Sequence, residues 1–312
     1  MVNNKIDSRT KETATDNIDN KESSKSNYTM GVTCLLGSVI CFSLMNLFVR
    51  LAGDLPSIQK SFFRNVIALI VALLALSKSR GDFRCKKGNF KDLFLRALAG
   101  TIGVFCNFYA MDNLNISDAS ILNKLSPFFA IIFSFFILKE KANKFEWTAV
   151  IIAFVGALFV IKPSFNVEVI PAFIGFLGGC AAGMAYTYVR KLGLKGERSM
   201  IIVLYFSVFS TLCTLPHMIF DYCPMSLKQL IILILCGLSA AGGQVLITKA
   251  YSFAPAKEIS VFDFSIVITT AILGYLFLNQ SPDILSIVGY AIIIGVAVVK
   301  WRYGLKMSKR KG

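Results

Sequence analysis

Apolar runs of roughly twenty residues alternate with short polar links along most of this chain. The runs fall near 30–51, 57–76, 93–111, 116–138, 145–161, 170–190, 199–219, 228–250, 259–278 and 283–301. A bilayer core about 30 Å thick is crossed by about 20 apolar helical residues, so each run has the length of a transmembrane helix. Lipid offers backbone groups no hydrogen-bond partner, which selects the helix for such segments. Buried helices of a soluble protein would show one apolar stripe, whereas these runs are apolar nearly all round. The pattern predicts an all-α polytopic membrane protein with ten transmembrane helices.

The ends of the chain break the pattern. Residues 1–29 are rich in Lys, Asp, Asn, Ser and Glu and read as a disordered cytosolic tail. They lack the apolar centre of a signal peptide, so the first span is expected to be retained as its own insertion signal. Residues 302–312 read as a basic cytosolic tail.

The second half of the chain echoes the first at a constant offset of 140. Val49-Arg50 matches Val189-Arg190, Gly103 matches Gly243, Ala110 matches Ala250, Ile132 matches Ile272, and Leu138 matches Leu278. Two repeats, 30–161 and 170–301, follow from this register. Each holds five spans, an odd number, so the second must enter the bilayer inverted. Inverted repeats are a mark of secondary transporters, whose substrate sites lie near the midplane between the halves. Small residues at every fourth position, such as Gly175, Gly179 and Gly183, predict close helix packing.

Charge refines the topology. The chain carries 33 Lys and Arg against 18 Asp and Glu, a net +15. Arg80, Arg84, Lys86, Lys87 and Lys91 lie in one link, Lys139, Lys141 and Lys144 in the next but one, Arg190, Lys191, Lys195 and Arg198 in a third, and Lys300 to Lys311 form a basic end. Intervening links are poor in basic residues. Such alternation places both termini in the cytosol of a plasma or inner membrane, and assigns the excess charge to topology rather than to nucleic acid. The expected partners are the lipid bilayer and a small-molecule substrate, with a homodimer left open.

Polar groups inside the spans are the candidate chemistry, because a charge in the bilayer is costly to keep. Arg64 and Lys124 lie inside spans two and four. Each either snorkels to the interface or faces an anionic group. Asn123, Lys124, Ser126 and Pro127 form the densest polar cluster, and Pro127 deprives the Asn123 carbonyl of its helical donor. Asp263 occupies the position equivalent to Asn123. It is expected to pair with Lys249, or to exchange protons during transport. Asn46, Asn107, Tyr109, Tyr186 and Gln244 are further candidates for a cavity that accepts an organic metabolite. Asn46 lies one turn from Arg50, with Ser43 on the same side.

No catalytic constellation is apparent. His217 is the only histidine, and no HExxH, Gly-x-Ser-x-Gly or Walker loop occurs. The eight cysteines have no metal-binding spacing, and neither a metal nor a cofactor is expected.

Several motifs carry a resemblance. They are Met45-Asn46-Leu47-Phe48-Val49-Arg50, Phe62-Phe63-Arg64-Asn65, and Phe135-Phe136-Ile137-Leu138-Lys139-Glu140, with Ala250-Tyr251-Ser252-Phe253-Ala254-Pro255 after span eight. In these the chain resembles the EamA-type permeases of the drug/metabolite transporter superfamily over residues 30–301. Lys139 stands where the family has Gly, and Gln280 where it has Glu. The resemblance implies a ten-helix inverted-repeat fold, a central cavity lined by spans one, three, four, six, eight and nine, and alternating access, often for export of metabolites or amino-acid-like compounds. A broad exporter of amphipathic amines and a non-transporting membrane scaffold are the alternatives.

Overall fold

The computed structural model describes residues 3–78, 83–113, 122–161, 169–278 and 283–310, with side chains from Ser26 onward. Its elements are α1 (Asn3–Leu51), α2 (Ser57–Lys78), α3 (Phe90–Asn113), α4 (Ser126–Phe133) continued by a π-helical turn (Ser134–Leu138), α5 (Lys144–Ile161), α6 (Val169–Leu194), α7 (Ser199–Phe220), α8 (Leu227–Phe253), α9 (Ala256–Ile259) continued by a 3₁₀ turn (Ser260–Phe264), α10 (Ser265–Leu278) and α11 (Ile284–Arg310). Among the described residues every element is helical.

Seven described segments are long and apolar enough to cross a membrane: 26–51, α2, α6, α7, α8, 256–277 and 284–307. Three expected spans fall short of that standard. The fourth is described only from residue 122, its first part (116–121) lying outside the described residues. The third, in α3, has Asp92 at its edge and carries Arg96, and α5 opens on Lys144 and Glu146.

The helices pair in a pattern that repeats between the halves. α1 packs along α8, and α3 packs along α6. α2 lies against both α7 and α8, as α7 lies against both α2 and α3. α4 contacts α6 while α10 contacts α1, and α5 packs on α11. Exchanging the first five expected spans for the last five leaves this list of neighbours unchanged.

Glycines set the closest approaches. A Cβ at Gly183 would sit 2.5 Å from Phe129 Cβ, and one at Gly179 would sit 2.5 Å from the Leu122 carbonyl oxygen. A Cβ at Gly175 would meet Leu122 Cδ1 at 2.8 Å. The fourfold glycine spacing of α6 thus forms the bed on which residues 122–130 lie, as small-residue packing in lipid requires.

Two boundaries differ from the sequence expectation. Residues 3–29, expected to be a disordered tail, continue α1 as helix. Extending an existing membrane helix requires no new nucleation, which lets a polar segment propagate it. Tyr28 is itself buried, its ring stacked on Trp301 at 5.5 Å and its hydroxyl donating to the Lys300 carbonyl at 3.3 Å. Trp301 is therefore a packing residue. Likewise α11 runs through the expected basic tail to Arg310, with the Tyr303 hydroxyl accepting from Asn143 Nδ2 at 2.9 Å.

Lys139 has φ 59° and ψ 23°, the left-handed conformation, at the C-terminus of the π turn. Glycine is the usual residue at such helix ends, because it carries no Cβ to strain. The Gly-to-Lys departure noted in the sequence thus lies at a position with a stereochemical reason for Gly.

Candidate functional site

Two breaks in helical continuity build the centre of the site. In the first half, residues 122–123 are helical, Lys124-Leu125 form a turn, and α4 restarts at Ser126 with Pro127 in its first turn. Proline tolerates that position because a first-turn N–H has no intrahelical acceptor. In the second half, the 3₁₀ turn Ser260–Phe264 separates α9 from α10. A short 3₁₀ stretch inside a longer helix often marks a functional hinge.

The two breaks meet through charge. Lys124 Nζ donates to Asp263 Oδ2 at 3.1 Å, joining the halves at equivalent places in the repeat. The side chains keep 14% and 11% exposure, so the pair is neither sealed in the packing nor free in solvent. Lys124 is Asp263's partner, and Lys249 is not. Lys249 is exposed on the stripe of α8 that carries Leu238 and Phe253, spaced by whole helical turns. The burial of its neighbours Thr248 and Tyr251 puts the inward face of α8 elsewhere.

Tyr186, Tyr251, Arg64 and Arg96 are further polar groups of the buried or half-buried interior. The Tyr186 and Tyr251 rings stack at 4.7 Å with planes 8° apart. Tyr186 lies within electrostatic reach of Asp263, Arg96 and Arg64, and Tyr251 within reach of Asp263. Arg64 is half-buried, and its Nε has no hydrogen-bond partner. The buried Tyr251 hydroxyl has none either. Buried polar groups are nearly always paired, so each of these two calls for an explanation.

The remaining candidates divide. Asn123 is half-buried beside Lys124, and Ser126 is buried at the restart of the helix. Asn46 is half-buried on α1, while Ser43 one turn earlier accepts from Thr270 Oγ1 at 3.2 Å and bonds Thr269, tying α1 to α10. Gln244 is buried, with Nε2 donating to Thr248 Oγ1 at 3.4 Å within α8. Asn107 lies in the α3–α6 interface, where its backbone nitrogen faces Gly178. Tyr109 is 42% exposed and shares the outward stripe of α3 with Phe94 and Ile102, so it faces away from the bundle. Arg96 and Tyr251 were absent from the sequence candidates. The cost of a charge within the span at 93–111 was the available signal for Arg96. Tyr251 was visible only as part of a motif.

At the basic end of the bundle, ion pairs link elements of both halves. Arg190 Nε bonds Glu140 Oε1 at 3.2 Å, and its Nη1 donates to the Ser252 carbonyl at 2.9 Å, so one guanidinium ties α6 to the π turn and to α8. Asp92 accepts from Lys191 and Lys195. Burial alone would raise the Asp92 carboxyl, but hydrogen bonds from the two ammonium groups and their charges outweigh it and hold it below the usual range. Glu197 accepts from the Lys86 backbone and Asn89 Nδ2, both at 2.9 Å. Lys300, almost wholly buried, lies 3.5 Å from Glu146. Arg50, one repeat offset before Arg190, is exposed and makes no ion pair with any described residue. The Gln280 position lies outside the described residues.

Comparison with known proteins agrees with this architecture. The profile of the EamA-like transporter family matches residues 29–162 and 169–300. The chain is 31% identical over 267 residues to the pseudopaline exporter CntI of Pseudomonas aeruginosa, covering 85% of this chain and 93% of that one. It is 26% identical over 295 residues to human solute carrier family 35 member G1, covering 87% and 80%. A crystal structure of a protein 14% identical in sequence matches with a TM-score of 0.75 over 89% of this chain and 99% of its own, a likeness of fold.

Proposed function

Because this chain belongs to the EamA-like transporter family, a family of transporters rather than enzymes, we propose that it is a secondary carrier exporting a small polar metabolite that bears an anionic group. The observation that carries the reading is the Lys124–Asp263 pair, which joins two broken helical segments from opposite halves in a partly accessible position. Discontinuous helices are where transporters of inverted-repeat design bind their substrates. The substrate's anionic group competes with Asp263 for Lys124 and draws on the unpaired donor of Arg64. Export is supported by the likeness to a protein named an exporter.

In this reading the chain forms ten spans as two inverted repeats, and the neighbour pattern that survives exchange of the halves supports it. The basic end is cytosolic, with both termini there, in the plasma or inner membrane. The carrier works by alternating access: Arg190, Glu140 and the Ser252 carbonyl close the cytosolic end, and the site is reached from the other side. Asp263, released from Lys124, couples transport to protons or to exchange.

The test is efflux from proteoliposomes loaded with a metabolite library. Efflux of an anionic solute that ends in Lys124→Ala, with the protein still folded, supports the reading. Efflux confined to amines and lost in Asp263→Asn would favour a cation exporter that uses the Tyr186–Tyr251 stack. A folded protein that moves no solute would contradict both and leave a scaffold.

A further inference from the structure

Two cavities at the basic end of the bundle share a wall residue. The first, of about 340 Å³, is apolar and is lined by Ile131, Phe135, Phe136 and Trp147. The π turn supplies its two phenylalanines, which remain 43% and 63% exposed. The second, of about 170 Å³, is polar, with Glu146 of α5, Lys257 and Glu258 of α9 and Lys300 of α11 in its wall. Lys141 lines both.

The polar cavity holds cations with donors to spare. Lys300 Nζ stands 3.5 Å from Glu146 Oε1, beyond the roughly 2.7–2.9 Å of a charge-assisted bond, and 5.7 Å from the ring centres of Phe145 and Tyr303. An ammonium carries three donors, so this buried group keeps capacity for a closer acceptor. Lys257 Nζ donates to the Lys141 carbonyl at 2.7 Å, which fixes the backbone between the two cavities and leaves Lys257 further donors. Lys141 is exposed, and its ammonium makes no hydrogen bond or ion pair with any described residue. Glu146 also accepts from the Asn143 N–H at 2.8 Å, so its carboxylate is held by the start of α5. Three ammonium groups against the two carboxylates leave the polar cavity with one net positive charge.

We infer that the two cavities form one binding site for an anionic glycerophospholipid of the bilayer, with an acyl chain along Phe135, Phe136 and Trp147 and the phosphate on Lys141, Lys257 and Lys300. Basic pockets between transmembrane helices bind anionic headgroups in this way. The shared lysine suits the junction, because its aliphatic stem can lie along the apolar cleft while its ammonium reaches the polar cavity. A free phosphate would leave the apolar cleft empty, and a zwitterionic headgroup brings its own ammonium and leaves the excess charge in place. The inference takes from the carrier reading above only the placement in a membrane, and adds a partner held outside the central pair.

The test uses the full chain in phosphatidylcholine vesicles, with Trp301→Phe leaving Trp147 as the only tryptophan. A minor fraction of phosphatidylglycerol, or of phosphatidylcholine, is brominated along its acyl chains, and quenching of Trp147 reports which lipid occupies the cleft. The expected result is a preference of about fivefold for phosphatidylglycerol, as one net charge near the membrane surface supplies. Lys141→Ala brings that preference close to one, and Lys141→Arg keeps most of it. Lys144→Ala removes an equal charge from the same link but lines neither cavity, and leaves the preference in place. If Trp301→Phe does not fold, the same preferences are read by native mass spectrometry from the lipid retained by the chain with both tryptophans. Equal quenching by the two lipids, equal effects of Lys144→Ala and Lys141→Ala, quenching by brominated phosphatidylethanolamine as strong as by phosphatidylglycerol, or displacement of the lipid by inorganic phosphate would overturn the inference. Solute efflux is followed in the same vesicles without bromine. A lost lipid preference with efflux intact removes this site alone, and lost efflux with the preference intact removes the carrier reading alone.

Discussion

The two ends of the bundle are held by different chemistry. At the basic end, Arg190–Glu140, Lys191 and Lys195 with Asp92, and Lys300–Glu146 are pairs of opposite charge, most of them between elements far apart in sequence. At the opposite end, the contacts rest mainly on amides and backbone, with one ammonium, Lys60 Nζ, donating to the Gly53 carbonyl at 2.6 Å. Gln59 Nε2 donates to the Cys223 carbonyl at 2.9 Å, and its Oε1 accepts from the Cys223 N–H at 3.0 Å. Gln229 Nε2 donates to the Ala52 carbonyl at 3.1 Å. His217 Nδ1 lies 3.3 Å from Asp221 Oδ2, one turn on at the end of α7, with Asp221 70% exposed. Charge-assisted hydrogen bonds contribute about 1.5–3 kcal/mol and neutral ones about 0.5–1.5 kcal/mol. The basic end therefore carries the stronger contacts between elements, although the repeats have equivalent arginines at both ends, Arg50 and Arg190. The difference lies in the partners each arginine meets in this structure.

The largest effect that would break this asymmetry is Arg190→Ala. It leaves Glu140, whose Oε2 is already buried without a partner, and the Ser252 carbonyl unsatisfied. A loss of roughly 2–4 kcal/mol in unfolding free energy is expected by denaturant titration, whereas Arg50→Ala should change stability by less than about 0.5 kcal/mol. Equal costs would remove the asymmetry.

Asp92→Asn comes next, at about 1–3 kcal/mol near neutral pH. The folded-state carboxyl lies below its ordinary value of 3.8, so its stabilisation is fully present above that pH and is lost as pH falls through the lower folded-state value. The gap between wild type and variant should therefore close on acidification below pH 3.8, which thermal melts across a pH series would show. A gap that is constant with pH would mean that the two lysines do not act on Asp92 as described.

Gln59→Leu probes the other end and should cost about 1–2 kcal/mol, because it orphans the Cys223 backbone at a partly buried position. The smallest effect is a gain. Lys139→Gly relieves a left-handed lysine, partly offset by the freedom of glycine in the unfolded chain, and should raise stability by about 0.5 kcal/mol. A loss instead would assign Lys139 a contact that outweighs its backbone strain.

Much of the fold was legible because lipid imposes length, helicity and charge asymmetry on the sequence. The repeat register made Asp263 the equivalent of Asn123, and the two broken segments meet through Lys124 and Asp263. The partner was misread because span polarity says how deep a charge lies, not which way its helix face turns; Lys249 and Tyr109 share exposed stripes with lipid-facing residues. Arg96 lies close to the basic end of α3, where charge alone does not set it apart from the arginines and lysines of the neighbouring link. Its burial against Phe206 and its room beside Gly100 arise from packing between α3 and α7, which no local pattern reveals. The ordering of residues 3–29 depends on helix propagation and on Tyr28 docking against α11, also non-local.

The most direct measurement is the sidedness of access to the central pair. Asn123→Cys is placed in a chain whose eight native cysteines are replaced, and a membrane-impermeant thiol reagent is applied to one face of the membrane at a time. The account predicts labelling from the face opposite the basic end, and added labelling from the basic face once Arg190→Ala is introduced. Equal labelling from both faces without that substitution, or labelling from neither face with it, would contradict a substrate site gated at the basic end.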